Sequence, residues 1–168
     1  MGEQPNEPED LFSLLDGLGI AHKTHWHAPV FTVAESQSLR DQIAGAHTKN
    51  LFLKDKKGCY FLIVLEENAT VDLKQIHHVI GASGRVSFGK PEVLMERLGV
   101  VPGAVTVFAA MNDVEGTVTI ILDAMLMEAE IINAHPLRNT ATTSIASRDL
   151  MTFLTRTGHQ PQVLKIST

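Results

Sequence analysis

The segment AHTKNLFLKDKKGCYFLIVL, residues 46–65, sets Lys49 at the mouth of a run that otherwise alternates like buried strand. Alternation groups Lys49 with Leu51 and Leu53, and Asn50 with Phe52 and Lys54. If the leucines face the core, the ammonium sits at its inner rim. There it either snorkels outward over apolar surface or lines a cleft for a phosphate or carboxylate. A second polar cluster, INAHPLRNTATT, closes an apolar stretch with Asn133, His135, Asn139 and several threonines around a proline. It reads as a capped loop or as a pocket wall.

Other chemistries lack their residues. Of the 8 histidines, His25 and His27 share a strand face, and His77 and His78 are helix neighbours expected to point apart. No HExxH and no CxxC is present, so no metal site is expected. There is no GxSxG, and Cys59 follows a turn glycine with no evident histidine partner. GASGR and GVVPG lack both the phosphate-loop lysine and the dinucleotide fingerprint, and no cofactor is expected.

The elements that must carry these residues are legible from periodicity. Residues 1–9 read as a frayed terminus before a helix that begins near Pro8 or Asp10, with Leu11, Leu14, Leu15 and Leu18 on one face and Gly19 as its stop. IAHKTHWH reads as a short strand, and Thr32 to Glu35 as the capping box of a second helix. Strands are predicted over Thr48–Asp55 and Cys59–Glu66, joined at Lys56-Lys57-Gly58 as a central antiparallel hairpin. Asp72 can cap a helix reaching about Ile80, VSF is a short strand, and Pro91 opens a helix that ends at Gly99. GVVPGAVTVFAAMND reads as a structured loop entering a buried segment. Thr117–Asp123 is strand with AEIINAH as its expected hairpin partner, TATTSIA is a further strand, and Ser147 or Asp149 caps the last helix. Interspersed elements with antiparallel hairpins favour an α+β (mixed α/β) single domain, residues 1–168, with a mostly antiparallel mixed sheet and flanking helices.

Composition sets the outer limits. The 168 residues, 44% hydrophobic and 20% charged, suit one soluble domain with a substantial core. The longest apolar run is far too short for a membrane span, the acidic start is unlike a secretory signal, and a cytoplasmic location is expected. A net charge of −5 argues against a generally adhesive nucleic-acid binder. Any such contact must be local, through Lys49, Lys54, Lys56 and Lys57, with Lys23 nearby if its segment pairs with theirs. For the last three of the four hairpin lysines, a solvated turn is the simpler reading.

HAPVFT followed by VAE, then HTKNLFLKDKKGCYFLIVL, DLKQIHHVIG, RVSFGKPEVLMERLGVVPGAVTVFAAMND and INAHPLRNTATTSIASRDL together resemble the YbaK/ProX (INS-like) aminoacyl-tRNA deacylases. Within that family they are most similar to the free-standing ProXp-ala, or PrdX, branch. The resemblance spans nearly the whole chain after about residue 10, and TKNLFLKD, LGVxPG and NxHPLxNxxT in that order make it specific. It implies a mixed sheet with flanking helices and a trans-editing hydrolase that removes a misattached amino acid from transfer RNA, in this branch alanine from tRNA(Pro). Prolyl-tRNA synthetase or an elongation factor would be transient partners, and the 2′-hydroxyl of the terminal adenosine would assist hydrolysis. Carried onto these residues, Lys49 is the essential lysine that anchors the 3′ nucleotides and orients the ester, with Asn50 next to it. His135 lines the pocket, flanked by Asn133 and Asn139. Gly103, Ala104 and Val105 begin a GxxxP loop whose backbone lies near the ester carbonyl, although Val107 stands where the family has proline. His27, Phe31 and Thr32 lie beside the amino-acid pocket. A non-catalytic RNA-binding or regulatory module of the same fold would keep the cations and hydrolyse nothing.

Overall fold

The structure is a computed structural model that describes residues 5–29 and 33–168. In chain order the elements are α1 (Pro8–Gly17), β1 (His22–Trp26), α2 (Val33–Gln42), β2 (Ala46–Lys54), β3 (Tyr60–Glu66), α3 (Ile76–Ile80), β4 (Ser87–Phe88) and α4 (Pro91–Leu98). After two 3-10 turns, Pro102–Ala104 and Val107–Asn112, come β5 (Val118–Asp123), a third turn at Leu126–Glu128, β6 (Ile131–Ala134), β7 (Ala141–Ala146), α5 (Ser147–Arg156) and β8 (Gln162–Leu164).

The strands form one mixed sheet in the order β1-β7-β6-β2-β3-β5-β8, with β4 beside the far end of β2. The expected hairpin is present and central. Asp55 builds its turn, accepting the N–H groups of Lys57, Cys59 and Ser83. Those bonds, led by Ser83, hold the Asp55 carboxyl below its ordinary pKa although burial opposes them. β3 is apolar along its length because both sheet faces are covered. Its Leu62 and Val64 join a core with α1, α4, the Val107–Asn112 turn and α5, while Phe61, Ile63 and Leu65 join a smaller core under α3. The same alternation sends Phe52 to the first core and Leu51 and Leu53 to the second.

Several expectations are corrected. AEIINAH is not the partner of Thr117–Asp123: β6 lies antiparallel to β7 and parallel to the start of β2, and β5 pairs in parallel with β3 and β8. Parallel pairing of distant segments leaves no turn signature in the chain, so hairpin logic misassigned it. Lys23 is remote from the hairpin lysines, because β1 pairs with β7. Residues 5–9 are tied down, not frayed: Asn6 bonds to the Asn112 side chain, Glu7 and Asp10 close a capping box, and Pro8 is buried. The cap of α5 is Ala146, with no side-chain bond, and Ser147 is the first helical residue. The rings of His77 and His78 lie 4.0 Å apart at their centroids, so the two do not diverge. The capping box at Thr32 falls outside the described residues.

Candidate active site

β2 and β6 pair only through Ala46–Ile132 and His47–Asn133, and then diverge. β4 joins β2 only at Leu53 and Lys54, so the intervening stretch of β2 has an open edge. The Phe52 carbonyl points to that edge, accepting Gly89 N–H. Strand alternation therefore turns the main-chain N–H and C=O of Asn50 into the same gap, where no strand meets them.

A cavity of about 160 Å3 fills the gap, walled by Leu39, His47, Thr48, Asn50, Glu67, Asn133, Ala134, His135 and Thr142. An open groove of about 290 Å3, lined mostly by apolar residues including Phe52, Phe88, Pro102 and Val105, meets it at Asn50. The Asn50 Oδ1 atom is buried and has no hydrogen-bond partner among the described residues.

The histidines here are held in defined tautomers. His135 Nδ1 lies 2.9 Å from the Ala141 carbonyl, which can only accept, so the proton is on Nδ1 and Nε2 keeps its lone pair. Burial pushes the His135 pKa below its ordinary value. The Ala141 bond and Glu67 pull the other way, while His27 and His47 add to the depression. His27 likewise donates Nδ1–H to the Ala28 carbonyl, at 2.8 Å, and its Nε2 takes the Thr142 hydroxyl at 2.8 Å. The His27 and His135 rings are 6.4 Å apart, and His25 stacks on His27 as strand alternation requires.

The loop that presents His135 is strained. Leu137, buried in the main core, has φ 72°, a left-handed conformation unfavourable for a non-glycine residue. It follows a tight turn in which Leu137 N–H bonds the His135 carbonyl. That carbonyl also accepts the Thr106 hydroxyl at 2.6 Å, coupling the His135 loop to the Gly103–Val107 segment. Gly103 lies beside Asn139, whose Nδ2 is 3.6 Å from where a Cβ would stand. Ala104 and Asn139 line a neighbouring hollow, and Val105 faces the groove.

The sequence-derived residues thus divide. His27, Asn50, Asn133 and His135 gather around the cavity, Val105 lines the groove that adjoins it, and Ala104 and Asn139, beside Gly103, line a separate hollow. Asn133 is almost fully committed to structure. Its Nδ2 donates to the Ala44 and Ala46 carbonyls, its Oδ1 accepts the Ser144 hydroxyl, and its own carbonyl takes the Thr48 hydroxyl. Lys49 does not wall the cavity: its ammonium donates to the Ala69 carbonyl, on the sheet face of the smaller core. Ala69 is two residues beyond Glu67, which walls the cavity. Phe31 and Thr32 lie outside the described residues. Thr48, Glu67, Thr106 and Thr142 were missed; the available signal was the threonine-rich TATTS run, whose alternation places Thr142 and Ser144 on one face. Among the described residues no three His, Cys, Asp or Glu side chains converge as metal ligands, and no helix is long and apolar enough to cross a membrane.

A family model described as an aminoacyl-tRNA editing domain matches residues 27–153. The chain is 35% identical over 154 residues to the bovine prolyl-tRNA synthetase associated domain-containing protein 1, covering 89% of this chain and 90% of that protein. It is 29% identical over 157 residues to the prolyl-tRNA editing protein ProX of Acetoanaerobium sticklandii, covering 93% and 95%. Among solved structures, a candidate trans-editing enzyme for prolyl-tRNA synthetase superposes with a TM-score of 0.68 at 19% identity, covering 94% of this chain and 96% of that one, which speaks for the fold.

Proposed function

Because this chain belongs to the aminoacyl-tRNA editing domain family, and so is an aminoacyl-tRNA deacylase, we propose that it hydrolyses the alanine ester of mischarged tRNA(Pro) in trans. The observation that carries this reading is the cavity where β2 and β6 part, about 160 Å3 in volume and adjoining an open groove at Asn50. Its volume equals that of about five liquid waters, room for a small aminoacyl head group. A synthetase pocket shaped for proline discriminates against a smaller apolar amino acid by only about 1 to 3 kcal/mol. A second site admitting the smaller ester supplies the rest.

In this reading the ester lies across Asn50, with its aminoacyl end in the cavity and its nucleoside end toward the groove. The open Asn50 N–H and the backbone N–H groups of Gly103 and Val105 are the donors offered to a developing oxyanion, that of Ala104 being bonded to the Val101 carbonyl. The ester is already activated, so positioning, together with the neighbouring 2′-hydroxyl guiding a water, suffices without a side-chain nucleophile. Lys49 leaves the Ala69 carbonyl to meet a 3′-terminal phosphate, and His27 and Asn139 border the head group. Contact with prolyl-tRNA synthetase or an elongation factor is transient, in the cytoplasm.

The purified protein incubated with alanine- and proline-charged tRNA(Pro) should release alanine and spare proline. Retention of both esters would leave a non-catalytic binding module. A terminal adenosine lacking its 2′-hydroxyl should bind and resist turnover.

A further inference from the structure

The turn that presents His135 is held from two sides. From inside, the Leu137 side chain is seated in the main core, Leu137 N–H bonds the His135 carbonyl at 2.9 Å, and the Thr106 hydroxyl reaches the same carbonyl. Where the turn runs into β7, the Thr140 carbonyl accepts His27 N–H at 2.9 Å, so the placement of both histidines follows the loop between them. A leucine at φ 72° keeps that conformation only where its surroundings over-determine it. The outer hold comes from the next residue. Arg138 donates from Nε, at 2.7 Å, and from Nη2 to one carboxylate oxygen of Glu7, 131 positions away in the chain.

Glu7 is itself fixed. Its main-chain N–H goes to Asp10 Oδ2 at 2.8 Å and its carbonyl takes Asp10 N–H, as the first turn of α1 begins. Asn6, before it, gives its main-chain N–H and its Nδ2 to Asn112 Oδ1, at 3.0 and 2.8 Å, and Asn112 Nδ2 donates to the Leu98 carbonyl at the end of α4. Gly99 makes room for this seat, since a Cβ there would stand 2.9 Å from Pro5 Cβ. Residues 5–7 and 137–140 thus line one hollow of about 400 Å3 together with Ala104. The Arg138 and Glu7 side chains are 58% and 50% exposed, and an ion pair so open to water adds little to global stability. Its effect is local, on the turn.

We infer that Glu7 is a positioning residue for hydrolysis: its carboxylate clasps Arg138 and so keeps the Leu137 turn, and with it His135 and His27, in register at the cavity. The inference rests on the deacylase reading and gives the segment before α1 a part in it. Glu7 touches no reacting atom, and Arg138, spent on Glu7, is not a cation for transfer RNA.

The test is a double-mutant cycle on alanyl-tRNA(Pro). It sets Glu7→Gln, which keeps the shape and removes the charge, against Arg138→Met, which keeps most of the stem and removes the guanidinium. Each single variant should lower kcat by about 3- to 5-fold, the scale of an exposed ion pair, with KM little changed. The double variant should lose no more than either alone. Arg138→Lys, which keeps the charge without the fork, should fall between wild type and Arg138→Met, and it carries the cycle if Arg138→Met does not fold. An unchanged kcat, losses that multiply in the double variant, or a raised KM for Arg138→Met that Glu7→Gln does not share would overturn the inference and leave the deacylase reading standing. If the wild-type protein cleaves neither alanine nor proline esters, the deacylase reading fails by itself and the clasp is judged from histidine side-chain NMR. Both single variants should then shift the His135 ring nitrogens in the same direction while the melting temperature holds; unshifted His135 signals, with or without a fall in melting temperature, would overturn the clasp.

Discussion

At the residue scale, Lys49 and His135 are both read as functional, and the fold treats them differently. The Lys49 ammonium is held by the Ala69 carbonyl outside the cavity wall, whereas the His135 imidazole is fixed by the Ala141 carbonyl and its main-chain carbonyl by the Thr106 hydroxyl. Lys49→Ala should therefore lower single-turnover kcat/KM by about 100-fold through lost positioning, while melting changes stay within about 1 kcal/mol because one partly exposed hydrogen bond is lost. An unchanged rate would remove Lys49 from the site. His135 has a depressed pKa, caused first by burial. Its neutral form is favoured in the fold, so its contribution is present above the folded pKa and is lost as acid protonates it. Turnover should stay level through neutral pH and fall on an acid limb below the usual histidine range near 6.5. A pH-rate profile of His135→Asn that kept this limb would assign it to another group.

At the element scale, the Gly103–Val107 loop shows how a departure from the family pattern is absorbed. Val107 is the first residue of the 3-10 turn Val107–Asn112, a position that needs no amide donor, and Thr106 before it is extended, with φ −152° and ψ 149°. Both conditions suit proline at 107. Val107→Pro should fold normally, with a stability change within about 1 kcal/mol, as read by denaturant titration. A large loss would mean that the buried valine side chain is required for packing. The turn's cap comes from Thr106, whose oxygen accepts Phe108 N–H while its hydrogen goes to the His135 carbonyl. One side chain thus sets both the loop and the pocket loop. That dual role was invisible in the sequence, since a threonine before an apolar run signals a cap and says nothing of a partner 29 residues away.

At the scale of the whole molecule, a second buried polar group ties together parts distant in the chain. Asp113 accepts the Thr117 hydroxyl, the Thr117 and Val118 N–H groups, and His159 from beyond α5. Burial alone would raise its pKa, but these bonds, led by His159, outweigh burial and lower it to about 2 from an ordinary 3.8. A carboxyl with a lowered folded pKa stabilises the fold above its unfolded pKa, and that stability disappears as pH falls from about 4 to about 2. Over this window the wild type should lose about 2 kcal/mol more than Asp113→Asn, measured by urea unfolding. Parallel acid curves would show that the bonds do not survive in solution. The net charge of −5 acts at the same scale, since it limits any tRNA contact to the local cations around the site.

Much of the architecture was local and therefore readable. The Asp55 turn, the leucine spacing of α1, the proline and glycine bounding α4, and the two-residue alternation of β2 all act over a few residues. The motif order around Lys49, Gly103 and His135 was readable for the same reason. The chain could not show that β6 lies beside the start of β2 and then leaves it. That adjacency joins segments some 85 residues apart through parallel pairing, which has no turn to announce it. The divergence of those strands opens the edge of Asn50, recruits Glu67 and Thr142 to a common cavity, and leaves Lys49 on the other face of the sheet. The sequence by itself determined which residues were chemically available. Tertiary structure decided which of them share a wall, because a shared wall depends on strand order and on how donors are consumed by neighbours remote in the chain.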